Sequence, residues 1–276
     1  NRFRIVVRGV SVDADASASA VIAVLTARGV PNWFGFQRYG VQGNSHMIGA
    51  AMLKRDWRSA VDRLMGDPEA VRDDEWKAAI AAYQQGDIVG ALRTMPRHCR
   101  SERDVLQRLV SRPDAWEKAF GAVHPRLKKL YLSAYQSYLF DKVVEQRLAE
   151  IDSLLLGDLA WKHVNGACFL VEDVSVDALR AAQFEISATG PMFGCKMTLP
   201  GGTVLDLEQQ VLAHEGFNQE DFDLGNGLRM EGERRPLRVP LGEPSFRIEQ
   251  DNLVLKFSLP KGSYATSVVR EITKTF

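Results

Sequence analysis

With 276 residues, 45% of them hydrophobic, the chain can bury one or two cores, and its 35 basic residues balance 35 acidic ones to a formal charge of zero, which excludes a global electrostatic pull toward nucleic acid. No apolar run approaches the roughly 20 residues of a membrane span, so no membrane partner is expected. Cys99, Cys168 and Cys195 are odd in number and widely spaced, which argues against a disulfide framework or a zinc site and fits a reducing cytoplasm.

The first predicted element is a half-buried strand in which Phe3, Ile5 and Val7 alternate with Arg2, Arg4 and Arg8, giving it a basic outer edge. A helix follows from Ala14 to Arg28, capped at its start by Asp13 or Asp15, with Gly29 as its C-terminal cap and Pro31 preventing its continuation. Beyond it, Gly29 to Gly40 (G-V-P-N-W-F-G-F-Q-R-Y-G) packs aromatics, amides and a guanidinium into one loop. Such a loop can hold an unstacked base and its phosphates. It can also plug a domain junction with its rings.

From Asn44 to Glu150 the signals are helical, with Asn44, Asp56 and Asp67-Pro68 as starts and Gly66, Gly86 and Gly121 as stops. Tyr135 shares a helix face with Leu132 and Leu139, so it and Tyr138 are expected in the core. Trp161 to Val171 forms a hairpin around Asn165-Gly166, and Phe184 to Leu199 is extended. Gly201-Gly202 and Gly225-Asn226-Gly227 read as turns, since neither has Walker or Rossmann spacing. A helix around Leu207 to His214 and the pair Arg234-Arg235 lead to a terminal hairpin, Pro244 to Gln250 and Asn252 to Leu259, and Ala265 to Phe276 closes the chain as a helix. The two chain ends therefore meet in one sheet. Charge is uneven, with ten Lys/Arg against four Asp/Glu between Arg93 and Lys129, and eight acids against Arg229 alone between Leu205 and Glu233; the basic stretch is either an RNA-facing patch or a solvated helix face. The five histidines are scattered singly and receive no chemical role.

The Gly29 to Gly40 segment resembles the G-V-P-N-[YF]-F-G-x-Q-R-[FY]-G signature of the TruD-type tRNA pseudouridine synthases. Asn1-Arg2-Phe3 resembles that family's N-x-F element, Leu132 to Phe140 (L-S-A-Y-Q-S-Y-L-F) its central helix, and Leu259 to Glu271 (L-P-K-G-S-Y-A-T-S-V-V-R-E) its C-terminal motif. The resemblance implies an α+β fold: a pseudouridine-synthase-like mixed-sheet platform, incomplete in this chain, from residues 1–40 and 239–276, carrying a large inserted α+β domain at 41–238, with a cleft between them. It implies isomerisation of uridine to pseudouridine in tRNA, at position 13 of the D-arm, without cofactor or metal, by a monomeric cytoplasmic enzyme. Asn1, Phe3, Tyr264 and Arg270 are then the active-site support, Phe3 and Tyr264 being the aromatic platform. Asn32, Phe34, Gln37 and Arg38 are the RNA contacts. Two departures stand out. Tyr264 occupies a position where many members have Phe, and the family's G-x-K-D-x-x-A-x-T-x-Q motif, which carries the catalytic aspartate, is absent. The expectation is a C-terminal portion that lacks the nucleophile and is inactive alone; a non-catalytic RNA-binding module is the alternative.

Overall fold

The computed structural model describes residues 1–225 and 227–274. Asn226 of the predicted Gly225–Gly227 turn and the last two positions of the predicted closing helix, Thr275 and Phe276, lie outside the described residues. The order is β1 (Arg2–Arg8), α1 (Ala14–Arg28), β2 (Val30–Pro31), α2 (Ser45–Leu53), α3 (Trp57–Met65), α4 (Asp74–Gln84), α5 (Ile88–Thr94), α6 (Arg100–Ser111), α7 (Trp116–Phe120) and α8 (Pro125–Arg147). There follow β3 (Leu159–Lys162), β4 (Cys168–Leu170), α9 (Val174–Ala182), β5 (Ile186–Met192), α10 (Gly202–His214), β6 (Glu233–Pro236), β7 (Arg238–Val239), β8 (Gly242–Glu249), β9 (Asn252–Ser258) and α11 (Ala265–Thr273).

The strands form three sheets, ordered β1-β9-β8, β2-β7 and β4-β3-β5-β6. Every named pairing is antiparallel, including the platform for which the resemblance implies a mixed sheet. The chain ends meet as expected: Phe3 lies opposite Phe257 and Ile5 opposite Leu255. The alternation in β1 sends Phe3, Ile5 and Val7 inward and leaves the arginines outside.

Two apolar clusters organise the molecule. The smaller gathers Leu253, Leu255 and Phe257 with Ala18 and Leu25 of α1 and Val268 of α11. The larger fills the helical segment around Leu132, Tyr135, Leu139 and Phe140 of α8 and extends to β3, β5 and α10. The chain changes cluster between Val30 and Trp33, ahead of the Gly40 boundary expected from the sequence, and returns between Leu237 and Val239. The β2-β7 pair therefore marks both crossings.

Two local readings need correction. Gly201-Gly202 does not end as a turn, because Gly202 opens α10, with Gly201 as its N-cap. A helix unread in the sequence, α9, starts at Asp173, whose carboxylate caps the Ser175 N–H at 2.8 Å. Among the described residues no helix is long and apolar enough to cross a membrane.

Candidate active site

The Gly29–Gly40 loop is a strut with one outward turn. Gly29 caps α1 with φ of 89°. Val30 and Pro31 then pair with Val239 and Arg238, and the Asn32 N–H donates to the Leu237 carbonyl at 2.8 Å. Asn32, expected as an RNA contact, is only 3% exposed. Its amide donates to the Pro236 carbonyl at 2.9 Å and accepts from Arg235 Nη2 at 2.7 Å. Trp33 is buried too, its indole N–H reaching Glu271 at 3.3 Å while the Ser267 hydroxyl donates to its carbonyl at 3.1 Å. Arg38 turns onto α8, where Nε donates to the Ser137 hydroxyl at 2.8 Å and Nη2 to the Ser133 carbonyl at 3.1 Å and to the Ser133 hydroxyl. What remains outside is the single helical turn Phe36–Tyr39, which exposes Gln37 and leaves the Phe36 ring 68% exposed. The junction-plugging role thus applies to most of the loop, and a surface role is open to its tip.

Phe34 sits at the centre of a cluster. Its ring meets Tyr264 at 5.7 Å between centroids and Phe140 edge-on at 5.7 Å. The Arg235 guanidinium lies 4.4 Å from its centroid and the Arg38 guanidinium 5.5 Å. Gly35 makes this approach possible, since a Cβ there would fall 2.5 Å from Thr266 Oγ1 and 3.2 Å from the Tyr264 ring. Arg235 Nη2 also donates to the Gly262 carbonyl at 3.1 Å, so one side chain ties the Asn32 turn to the segment leading into Tyr264. Arg235 Nε is buried without a hydrogen-bond partner among the described residues.

Behind this cluster lies Asp141 of α8, whose carboxylate accepts from the Phe34 N–H and from the Tyr39 hydroxyl, both at 2.9 Å. Burial pushes its carboxyl up to about 7, although the Phe34 and Tyr39 bonds and the charges of Arg270 and Arg235 pull the other way. Asp141 and Arg235 were not singled out from the sequence. Adjacent arginines on a strand must face opposite sides, which was the available signal. Arg234 takes the buried side and binds Glu208 through two bonds of 2.9 and 2.6 Å, while Arg235 takes the cluster.

The remaining expected residues lie at the end of the small sheet or on α11. The Asn1 backbone nitrogen donates to the Leu259 carbonyl at 2.8 Å, and the Phe3 ring pairs with Phe257 at 5.6 Å. Arg270 lies over the Trp33 ring at 4.2 Å. Phe3 and Tyr264 therefore belong to separate aromatic pairs. Asn32, Phe34, Arg38 and Tyr264 are gathered, Arg270 stands against the same loop, and Asn1 and Phe3 approach only through the backbone pairing with Leu259. Tyr135 is buried as expected, whereas Tyr138 is half-buried and shares Glu215 with it at 3.2 and 3.3 Å. No group of three or more His, Cys, Asp or Glu among the described residues is placed to hold a metal.

Comparison with known proteins places the chain in a family. The family described as tRNA pseudouridine synthase D (TruD) matches residues 1–272. The tRNA pseudouridine synthase D of Geobacter metallireducens is 63% identical over 274 residues, spanning 99% of this chain and 68% of the relative. That of Geobacter sulfurreducens is 60% identical over 274 residues, spanning 99% and 67%. The crystal structure of a Methanosarcina mazei protein described as a putative tRNA pseudouridine synthase D superposes with a TM-score of 0.86 at 25% identity, covering all of this chain and 69% of that one. Motif, fold and similarity along the whole chain coincide, and the chain belongs to the tRNA pseudouridine synthase D (TruD) family.

Proposed function

We propose that the chain serves the isomerisation of uridine to pseudouridine in tRNA, with the D-arm uridine at position 13 as its target. The N1–C1′ bond of the nucleotide breaks, the uracil turns, and a C5–C1′ bond forms as the C5 proton leaves and N1 gains one. The exchange has no net redox change and needs no cofactor. It does need a flipped-out base, an aromatic surface that keeps the detached uracil close, and a carboxylate beside the ribose.

Family membership supports the reaction, and the Phe34–Tyr264 pair is the observation that carries the assignment of this chain's part in it. The two rings are brought together by residues far apart in sequence and held by Gly35, Arg235 and Asp141, as a stacking surface for a detached base requires. Phe3 and Asn1 enter from the sheet end, and Phe36 and Gln37 at the loop tip meet the RNA outside the pocket.

The carboxylate is the missing part. Asp141 has both oxygens engaged by Phe34 and Tyr39. Glu243, near Phe3, is largely exposed and paired with Arg2 at 3.3 Å. Asp141 is thus occupied and Glu243 open to solvent, and the catalytic carboxylate is assigned to the part of the relatives' length that this chain does not span. The enzyme acts as a cytoplasmic monomer.

The test is conversion of uridine in a tRNA transcript. The chain alone should bind the transcript and yield no pseudouridine. The chain joined to the third of the Geobacter metallireducens relative that it does not span should yield it. Conversion by the chain alone, abolished in Asp141→Asn or Glu243→Gln, would place the carboxylate within it.

A further inference from the structure

The small sheet has a second face that neither core nor candidate site uses. One face of β1, β9 and β8 carries Phe3, Ile5, Leu255, Phe257 and Phe246 into the smaller apolar cluster. The opposite face presents Arg2, Arg4 and Arg8 from β1, Lys256 from β9 and Arg247 from β8. Arg4 and Lys256 are direct cross-strand partners, with Ser245 opposite Lys256 on the other side. Like charges directly opposite each other oppose strand pairing. The two acids of β8 do not relieve them: Glu243 pairs with Arg2 at 3.3 Å and Glu249 with Arg247 at 2.5 Å. Arg4, Arg8 and Lys256 make no ion pair among the described residues.

A row of unpaired cations held on an ordered sheet, in a chain of zero net charge, presents a local positive field that a polyanion would neutralise. Successive outward positions on a strand are about 6.8 Å apart, so β1 holds its arginines as a rigid line about 20 Å long. At one end of that line, a recess of about 410 Å³ is bounded by Arg2, Phe3, Arg4, Glu243, Ser245 and Lys256. The basic face thus runs to the end of β1 that begins at Asn1, whose pairing with Leu259 leads toward the candidate site.

We propose that this sheet face is a binding surface for the sugar-phosphate backbone of the substrate RNA, with Arg4, Arg8 and Lys256 contacting phosphates and the Arg2 end lying nearest the candidate site. This rests on the tRNA reading above. An acidic protein segment would satisfy the same charges. RNA is favoured because the row is linear and rigid, broken on β1 only by Val6, and because tRNA is the substrate of that reading.

The test is the salt dependence of binding between the chain and a tRNA transcript, compared with Arg4→Gln/Arg8→Gln/Lys256→Gln. Each phosphate that no longer meets a cation takes about 0.7 from the slope of log affinity against log salt for a single strand, so the triple variant should be shallower by about 2 and bind at least about tenfold more weakly at low salt. Its melting temperature should hold or rise, since repulsion is relieved. A second triple variant of exposed cations, Arg93→Gln/Arg97→Gln/Arg100→Gln, carries the same charge change. An unchanged slope in the sheet variant overturns the proposal, and if the slope falls only in the helical variant the backbone contacts belong there. Unchanged tRNA binding alongside lost affinity for an acidic peptide would assign the face to a protein. If the unaltered chain does not bind tRNA at all, the functional reading fails and this proposal fails with it.

Discussion

Asp141 is the residue whose chemistry is most exposed to test. Its carboxyl is raised from 3.8 to about 7, chiefly by burial, so the folded state holds its proton more tightly than the unfolded chain does. The stabilising contribution is full below pH 3.8 and is lost as pH rises through about 7, a change on the order of 4 kcal/mol. Asp141→Asn cannot ionise. The variant should therefore gain on the parent as pH rises, with the difference in melting temperature moving in its favour between about pH 5 and pH 8. A difference that stays flat would mean that Asp141 is ionised throughout. At the loop tip, Phe36→Ala should weaken tRNA binding by about 1–3 kcal/mol if the exposed ring stacks on a base, while leaving the melting temperature unchanged; unchanged affinity in a filter-binding assay would remove Phe36 from the interface. The sequence makes the residue types of this loop plain, but not their directions. Asn32 and Arg38 have the groups that grip RNA, and both turn them onto the protein, because β6 and α8 supply partners that lie about a hundred or two hundred residues away. Asp141 stands in a helix whose local pattern says nothing of a loop docking on it.

Among elements, those with strong local chemistry were legible. The Asn165-Gly166 hairpin, the end of α1 at Gly29 and the alternation of β1 were all readable because each is decided by residues within a few positions. The helix α9 was not, because it leaves Val176 and Leu179 exposed, at 67% and 66%, so the apolar residues do not mark its buried face. The start of α10 was hidden by its two glycines, which read as a break. Gly29 shows how an element end is fixed twice over. Its φ of 89° disfavours a side chain, and a Cβ would lie 2.9 Å from the Phe184 ring and 3.1 Å from Arg238. Gly29→Ala should cost at least about 2 kcal/mol from backbone strain and overpacking together, read as a lower urea midpoint with an unchanged slope. A loss below about 0.5 kcal/mol, the range of an unremarked surface substitution, would show that Phe184 and Arg238 move aside freely.

At the scale of the whole molecule, the question is what makes two apolar clusters behave as one. Arg238 lies on β7 at the crossing and is 1% exposed. It donates to the Arg28 carbonyl at the end of α1 and to the Ala181 carbonyl near the end of α9, each at 2.7 Å, and stacks 4.3 Å from the Phe184 ring centroid. Arg28 in turn binds Asp152 at 2.6 Å. One guanidinium thus fastens the helix of the small cluster to the sheet region of the large one, and the parent chain should unfold in a single transition. Arg238→Met keeps the bulk but takes the side-chain donor from the part-buried Arg28 carbonyl, while the Ala181 carbonyl keeps the Phe184 N–H at 3.1 Å, a loss of about 1–3 kcal/mol concentrated at the junction. The chain reports on its own halves: Trp57, Trp76, Trp116 and Trp161 lie outside the smaller cluster and Trp33 alone of the five touches α11, whereas circular dichroism sees both. In the parent, fluorescence and dichroism should trace the same curve. In Arg238→Met, dichroism should begin to fall first, as α1, α11 and the three-stranded sheet are released while Trp57, Trp76, Trp116 and Trp161 stay in place and fluorescence loses only the share of Trp33. Curves that remain superimposed in the variant would mean that the β2-β7 pairing and the Trp33 contacts with α11 suffice to couple the two cores, and that Arg238 contributes stability without cooperativity.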